Sequence, residues 1–160
     1  MPASEGEVIA ACEQALGMAP AEYPPDLAPL REQLDVPDWY PFEHEVWGIG
    51  ESVRRAFVQN PRLKRKDNVL SKVAKVATWQ NLRRGRQSFI TALGFVAART
   101  YADAIVPFLS DPDVHGQVVY TLIKMKAPGF GREVAPLTHS ERTLVRNLAK
   151  KYVDRYPPNG

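Results

Sequence analysis

The chain has 160 residues, 44% of them apolar and 24% charged, with a formal net charge of +3; that is enough for one domain whose core needs neither metal nor disulfide. A single cysteine, Cys12, excludes an internal disulfide and suits a reducing cytoplasm. The longest apolar run, residues 102–109, is broken by Asp103 and Pro107, so no membrane span or secretory leader is expected.

Seven of the fourteen prolines fall in the first 41 residues, and none lies between Arg62 and Val106. Proline removes a backbone donor and clashes with the preceding helical turn. Residues 20–41 therefore read as turns within an annex spanning 1–41, and the downstream chain is free to form long helices. Ser4 with Glu7 has the spacing of a capping box and starts a helix near 4–17. Further helices are expected near 26–34, 42–59, 67–82, 86–98, 101–109, 112–126, 130–136 and 139–155. Their apolar stripes recur at helical spacing: Val69, Val73, Val76; Phe89, Leu93, Val96; Val118, Leu122, Met125; Val145, Leu148, Tyr152. Asp111 before Pro112 reads as a cap followed by a first-turn proline, and Thr138 with Glu141 as a second capping box. No segment alternates with a period of two, so the fold class is all-α.

Sliding the sequence by 29 positions pairs Arg86 with His115, Phe89 with Val118, Leu93 with Leu122, Ile105 with Val134, Pro107 with Pro136 and Phe108 with Leu137. A period near 30 that holds two helices is the mark of a solenoid, in which each hairpin buries its apolar face against the next. The run Gly85-Arg-Gln-Ser-Phe-Ile-Thr-Ala-Leu-Gly94, then Ile105-Val-Pro-Phe-Leu-Ser-Asp-Pro-Asp-Val114, then Val119-Tyr-Thr-Leu122 resembles the short bacterial HEAT-like repeats. In these an outer helix ends in Ala-Leu-Gly and an Asp-Pro-x-Val turn leads into the next outer helix. The resemblance spans about 42–156 and is clearest over 85–126. It departs at His115, where the family carries arginine, and at Ile123, where the first unit has Gly94. It implies an α-α superhelix over 42–156, a HEAT-like solenoid of helical hairpins with a binding face, and no particular ligand.

Charge is strongly segregated. Residues 1–52 carry eleven acids and one base, net −10; residues 53–86 carry eleven bases and one acid, net +10; the remainder is +3. Such a basic segment attracts phosphates or acidic proteins, unless the acidic annex folds back on it. In a solenoid the helices 67–82, 101–109 and 130–136 are expected to line the concave face, which makes Arg65, Lys72, Lys75, Trp79, Arg83, Arg84, Asp103 and Arg132 the expected binding residues. Trp79, four residues before Arg83, reads either as a stacking platform beside phosphate-binding arginines or as an aromatic filling a corner between helices. Trp39, Tyr40, Phe42 and Trp47 are read as an apolar plug over the first repeat.

Catalytic signals are poor. His44, His115 and His139 have no metal-ligand spacing, Cys12 lies on an apolar stripe, and no phosphate-binding or nucleophile motif is present. No cofactor is expected, and the chain is read as a non-enzyme. The expected function is a macromolecular scaffold or adaptor that holds another protein on its concave face. The alternative is a nucleic-acid-binding module using 53–86, distantly like the DNA glycosylases built from HEAT-like repeats.

Overall fold

The computed structural model describes residues 3–27 and 38–159, and every regular element among them is helical. Helix α1 (Glu5–Gly17) begins at the predicted capping box: the Glu7 N–H donates to Ser4 Oγ at 3.2 Å and the Ser4 N–H to Glu7 Oε1 at 3.4 Å. Helix α2 (Pro41–Gln59) opens on a proline, whose missing N–H costs nothing at that position. A 3-10 turn, Pro61–Arg65, leads into α3 (Asp67–Ala77), where Val69, Val73 and Val76 are all fully buried.

The expected helix over 67–82 stops at Ala77, and the one over 86–98 is broken at 93–95. A 3-10 stretch, Gln80–Arg86, is kinked at Arg83 and runs into α4 (Gln87–Ala92); a second 3-10 stretch starts only at Val96. Then come α5 (Ala102–Ile105) with a 3-10 extension over Val106–Ser110, α6 (His115–Met125), α7 (Gly131–Val134) with its extension over Ala135–His139, and α8 (Thr143–Arg155). Helix α6 starts three residues later than expected, because Asp111 caps a turn ahead of it, its Oδ1 accepting the Asp113 N–H at 2.9 Å. The expected capping box at Thr138 and Glu141 does not form: the Thr138 hydroxyl donates back to the Ala135 carbonyl at 2.6 Å, and α8 begins five residues after it. Most of the helix expected over 26–34 lies outside the described residues, and Asp26 and Leu27 are not helical.

The 29-residue register recurs in the elements themselves. Helix α5 and its extension are matched, 29 residues on at both ends, by α7 and its extension. The turns that follow are also built alike. The Asp111 N–H donates to the Phe108 carbonyl at 3.0 Å and the Ser140 N–H to the Leu137 carbonyl at 3.1 Å. The Asp113 N–H finds Asp111 Oδ1, as the Arg142 N–H finds Ser140 Oγ at 3.2 Å.

Packing follows chain order. Helix α2 lies on α4, α4 on α6 and α6 on α8, while α3 meets α5 and α7 meets the 3-10 extension of α5. One core cluster runs through all of them and includes Phe57, Val73, Phe89, Ile90, Leu93, Ile105, Val118, Leu122 and Val134. Val145 is buried as expected, whereas Phe108, Leu137 and Leu148, also expected in the core, are half-buried at its margin. Gly50 lets α2 approach α4 closely: a Cβ there would sit 2.0 Å from Ser88 Oγ and 2.8 Å from Phe89 Cδ2. Helix α1 covers α2 and α3 through Val8, Cys12 and Ala15. It is therefore α1 that covers the first pair. Trp39 instead stacks on His44 with ring centroids 5.1 Å apart, and Trp47 is 39% exposed.

Candidate binding groove

Two regions concentrate side chains beyond what packing requires: an open trough along α2, α4, α6 and α8, and a buried charged junction at its end. In α2, Trp47, Glu51, Arg54 and Val58 stand at i, i+4, i+7 and i+11, so they share one face. Glu51 and Arg54 pair on it at 2.9 Å. Across from Glu51 and Arg54 lie Tyr120 on α6 and Leu144, Val145 and Leu148 on α8, with Gln87 and Thr91 of α4 between; these residues, with Arg142, line a trough of about 740 Å³ whose exposed lining is mostly apolar. Tyr120 is 40% exposed and Leu144 72%. Helix α4, with only six residues against 19 and 11 in its neighbours α2 and α6, contributes Gln87 and Thr91 to the lining.

The junction lies directly ahead of α4. Arg83 adopts φ 49° and ψ −129°, the backbone of the first central position of a type II′ turn, where glycine is normally found. A non-glycine residue held there costs about 1–3 kcal/mol. Its guanidinium is nearly fully buried and ties three parts of the chain together. Nη1 donates to the Pro25 carbonyl, Nε donates to Asp113 Oδ2 at 3.3 Å, and Nε lies 3.8 Å from Glu43 Oε1. Burial disfavours the charge on Arg83, but the hydrogen bond and charge of Asp113, with Glu43 behind, outweigh it and raise its pKa. Glu43 is fully buried and accepts the Tyr40 N–H at 2.7 Å and the Arg84 N–H at 3.0 Å. Arg86, also fully buried, donates from Nη2 to Asp111 Oδ2 at 2.7 Å and from Nε to the Arg83 carbonyl at 2.7 Å, with its face over Phe108. Tyr23 donates to Asp113 Oδ2 at 2.9 Å, and burial followed by that acceptor pushes its hydroxyl up to about 12.

One repeat further on, at positions 115 and 140, the Arg86–Asp111 pair has no counterpart. His115 replaces the arginine and Ser140 the aspartate. His115 Nε2 is buried without a hydrogen-bond partner, and burial, then the charge of Arg142, lower its pKa against the opposing pull of Asp111.

The eight expected binding residues do not converge, and none lines the trough. Arg83 and Arg84 belong to the junction, where Arg84 lies over Trp39 and donates to the Asp38 carbonyl at 2.6 Å. Lys72 pairs with Glu13 of α1 at 3.4 Å. Arg65, Lys75, Asp103 and Arg132 are exposed at separate places on α3, α5, α7 and the 61–65 turn. Trp79 is 45% exposed, so it fills no corner between helices. The trough residues were missed because the apolar stripe of a helix marks the face it buries and does not say which of its other faces the neighbouring helices leave open. Glu43 was legible in principle, since Pro41 at the first helical position and Glu43 at the third are a helix-start pattern.

Among the described residues, no group of His, Cys, Asp and Glu is placed to hold a metal ion, and no helix is long and apolar enough to cross a membrane. Burial pushes the Cys12 thiol up to about 12, so it stays protonated and unreactive at neutral pH. The fold and the trough define an all-helical protein with an open apolar face. No family model, curated protein or solved structure matches the chain.

Proposed function

We propose that this chain is a non-catalytic binding protein, a HEAT-like scaffold or adaptor that holds a segment of another protein in the trough along α2, α4, α6 and α8. The observation that carries the reading is the trough itself. A space of about 740 Å³, mostly apolar and flanked by the exposed Tyr120 and Leu144, fits the apolar face of a partner helix, which docks through residues spaced at i, i+3 or i+4 and i+7. Repeated hairpins keep such a face rigid, so a partner orders little on binding. A non-enzymatic reading is supported by Cys12, Tyr152 and Arg83, each of which is engaged in packing or pairing. The buried, unpaired Cys12 is in keeping with a cytoplasmic location.

The alternative, a phosphate track formed by residues 53–86, draws less support. Lys72 is paired with Glu13, and Arg83, Arg84 and Arg86 are taken up by the junction. Affinity capture from the source cell's extract, run in parallel with wild type, Leu144→Asp and Tyr120→Ala, tests the proposal. A stoichiometric partner held by wild type and released by both variants is expected. A partner retained equally by all three would refute docking in the trough.

A further inference from the structure

Four cations of residues 53–86, Arg62, Lys64, Arg65 and Lys66, gather with later ones along a single edge, where α2, α4, α6 and α8 end. At the end of α2 stand Arg62, Arg65 and Lys66, all exposed. The 3-10 turn that carries the first two packs on the next, Val96–Tyr101, where Lys64 Nζ lies 5.3 Å above the Phe95 ring. Arg99 of that second turn donates from Nη1 to the Lys126 carbonyl at 3.3 Å, and the stem of Lys124 lies against Gly94. Lys124 and Lys126 then face Lys151 and Arg155 of α8 around a cleft of about 590 Å³. None of these cations forms an ion pair among the described residues. Two acids share the edge: Asp67, which accepts from the Tyr101 hydroxyl, and Asp154 in the cleft.

We propose that this edge binds the phosphate backbone of duplex nucleic acid. Packed helices lie about 8–10 Å apart, so three intervals extend the row over about 24–30 Å, a little less than one turn of duplex at about 34–36 Å. The row is narrow and notched by the cleft, which suits a strand of phosphates better than a flat bilayer. The exposed apolar residues nearby, Val58 and Val96, are short, whereas membrane-surface elements bury Trp, Phe and Leu. Contacts to phosphates carry no base information, so binding is indifferent to sequence. The cleft shares no lining residue with the trough and adjoins it at Lys124, whose Nζ lies 5.6 Å from the centroid of the Tyr120 ring.

The test is fluorescence anisotropy of the full chain with a labelled mixed-sequence DNA duplex of about 20 base pairs, titrated across salt. Five to eight phosphate contacts give log K falling with log salt at a slope of about −4.5 to −7. The triple variant Arg62→Gln, Lys126→Asn, Lys151→Gln takes one cation from each of three layers; asparagine suits the left-handed backbone of Lys126, φ 53°. It is expected to bind about tenfold or more weakly at 50 mM salt, with a slope shallower by up to about 2.7. Lys72→Gln with Lys75→Gln, on α3, is expected to change neither quantity. Cations at helix ends also complement the helix dipole, so unfolding is followed in parallel. Should the triple variant not fold, Lys151→Gln alone is expected to reduce the slope by about 0.9. No binding by wild type at 50 mM salt, equal losses in the triple and α3 variants, or binding to phosphatidylserine vesicles but not to the duplex would overturn the proposal.

Discussion

Asp111→Ala isolates the Arg86–Asp111 pair and is expected to destabilise the chain far more than an exposed ion pair would. The Arg86 side chain is 0% exposed and that of Asp111 12%, at 2.7 Å, so solvent screening is small. Asp111 is the carboxylate within ion-pair distance of that guanidinium. Stranding a buried charge in this way costs about 3–5 kcal/mol. Asp111 also accepts the Asp113 N–H, and losing a cap of that kind adds about 1 kcal/mol. For a chain of this size each kcal/mol lowers Tm by about 2–4 °C, which places the fall on the order of 10–20 °C. Urea unfolding followed by circular dichroism supplies the free energy. The decisive variant is Arg86→Met combined with Asp111→Ala. Removing the charge together with its partner leaves nothing stranded, so the double variant is expected to be about 2 kcal/mol or more stable than Asp111→Ala alone. Ser140→Ala, the equivalent change one repeat on, involves no carboxylate and is expected to cost about 1 kcal/mol or less. An Asp111→Ala chain within 1 kcal/mol of wild type, or a double variant less stable than that single one, would refute the reasoning.

Two further outcomes follow from the core and from the unmatched rung. Leu93→Ala and Leu122→Ala, each at a fully buried position, are expected to cost about 2–5 kcal/mol through lost burial and the cavity left behind, read by chemical unfolding. His115, whose pKa lies below its ordinary 6.5 in the folded chain, binds its proton more readily when unfolded, so its contribution to stability is complete above pH 6.5 and falls as the pH drops from there toward the lowered folded value; His115→Gln is expected to flatten that part of the stability profile.

What the sequence made legible was what local spacing encodes. Ser4 and Glu7 cap α1 as their separation predicts, because a capping box is closed within four residues. The 29-residue register emerged because matching positions in matching helices need similar side chains, and Pro107 and Pro136 both open the same 3-10 turn. Long-range features were not legible. Arginine is among the residues least often buried, so nothing in the sequence marked Arg83 and Arg86 as interior, and their partners at 111 and 113 are more than 20 residues away. A break at 83–85 was legible, since the expected helices stop at 82 and restart at 86, but the conformation of Arg83 was not, since the residue in the glycine-type backbone is not a glycine. The run of charge over 53–86 likewise does not show that its arginines divide among the interior, the trough and the edge.

The junction and the trough are one construction. The backbone turns sharply at Arg83, inside the break expected between 82 and 86, and α4 spans only Gln87–Ala92. A strain of about 1–3 kcal/mol at that residue persists only where the surroundings fix it. Here Asp113 fixes it from the turn before α6, Glu43 from the start of α2, and the Pro24 and Pro25 carbonyls from the N-terminal segment. Those contacts join the elements that flank α4 on either side. Asp113 and Glu43 therefore tie the start of α6 and the start of α2 to the kink ahead of α4, and Gln87, whose amide donates to the Asp113 carbonyl at 2.8 Å, belongs to both the junction and the lining of the trough.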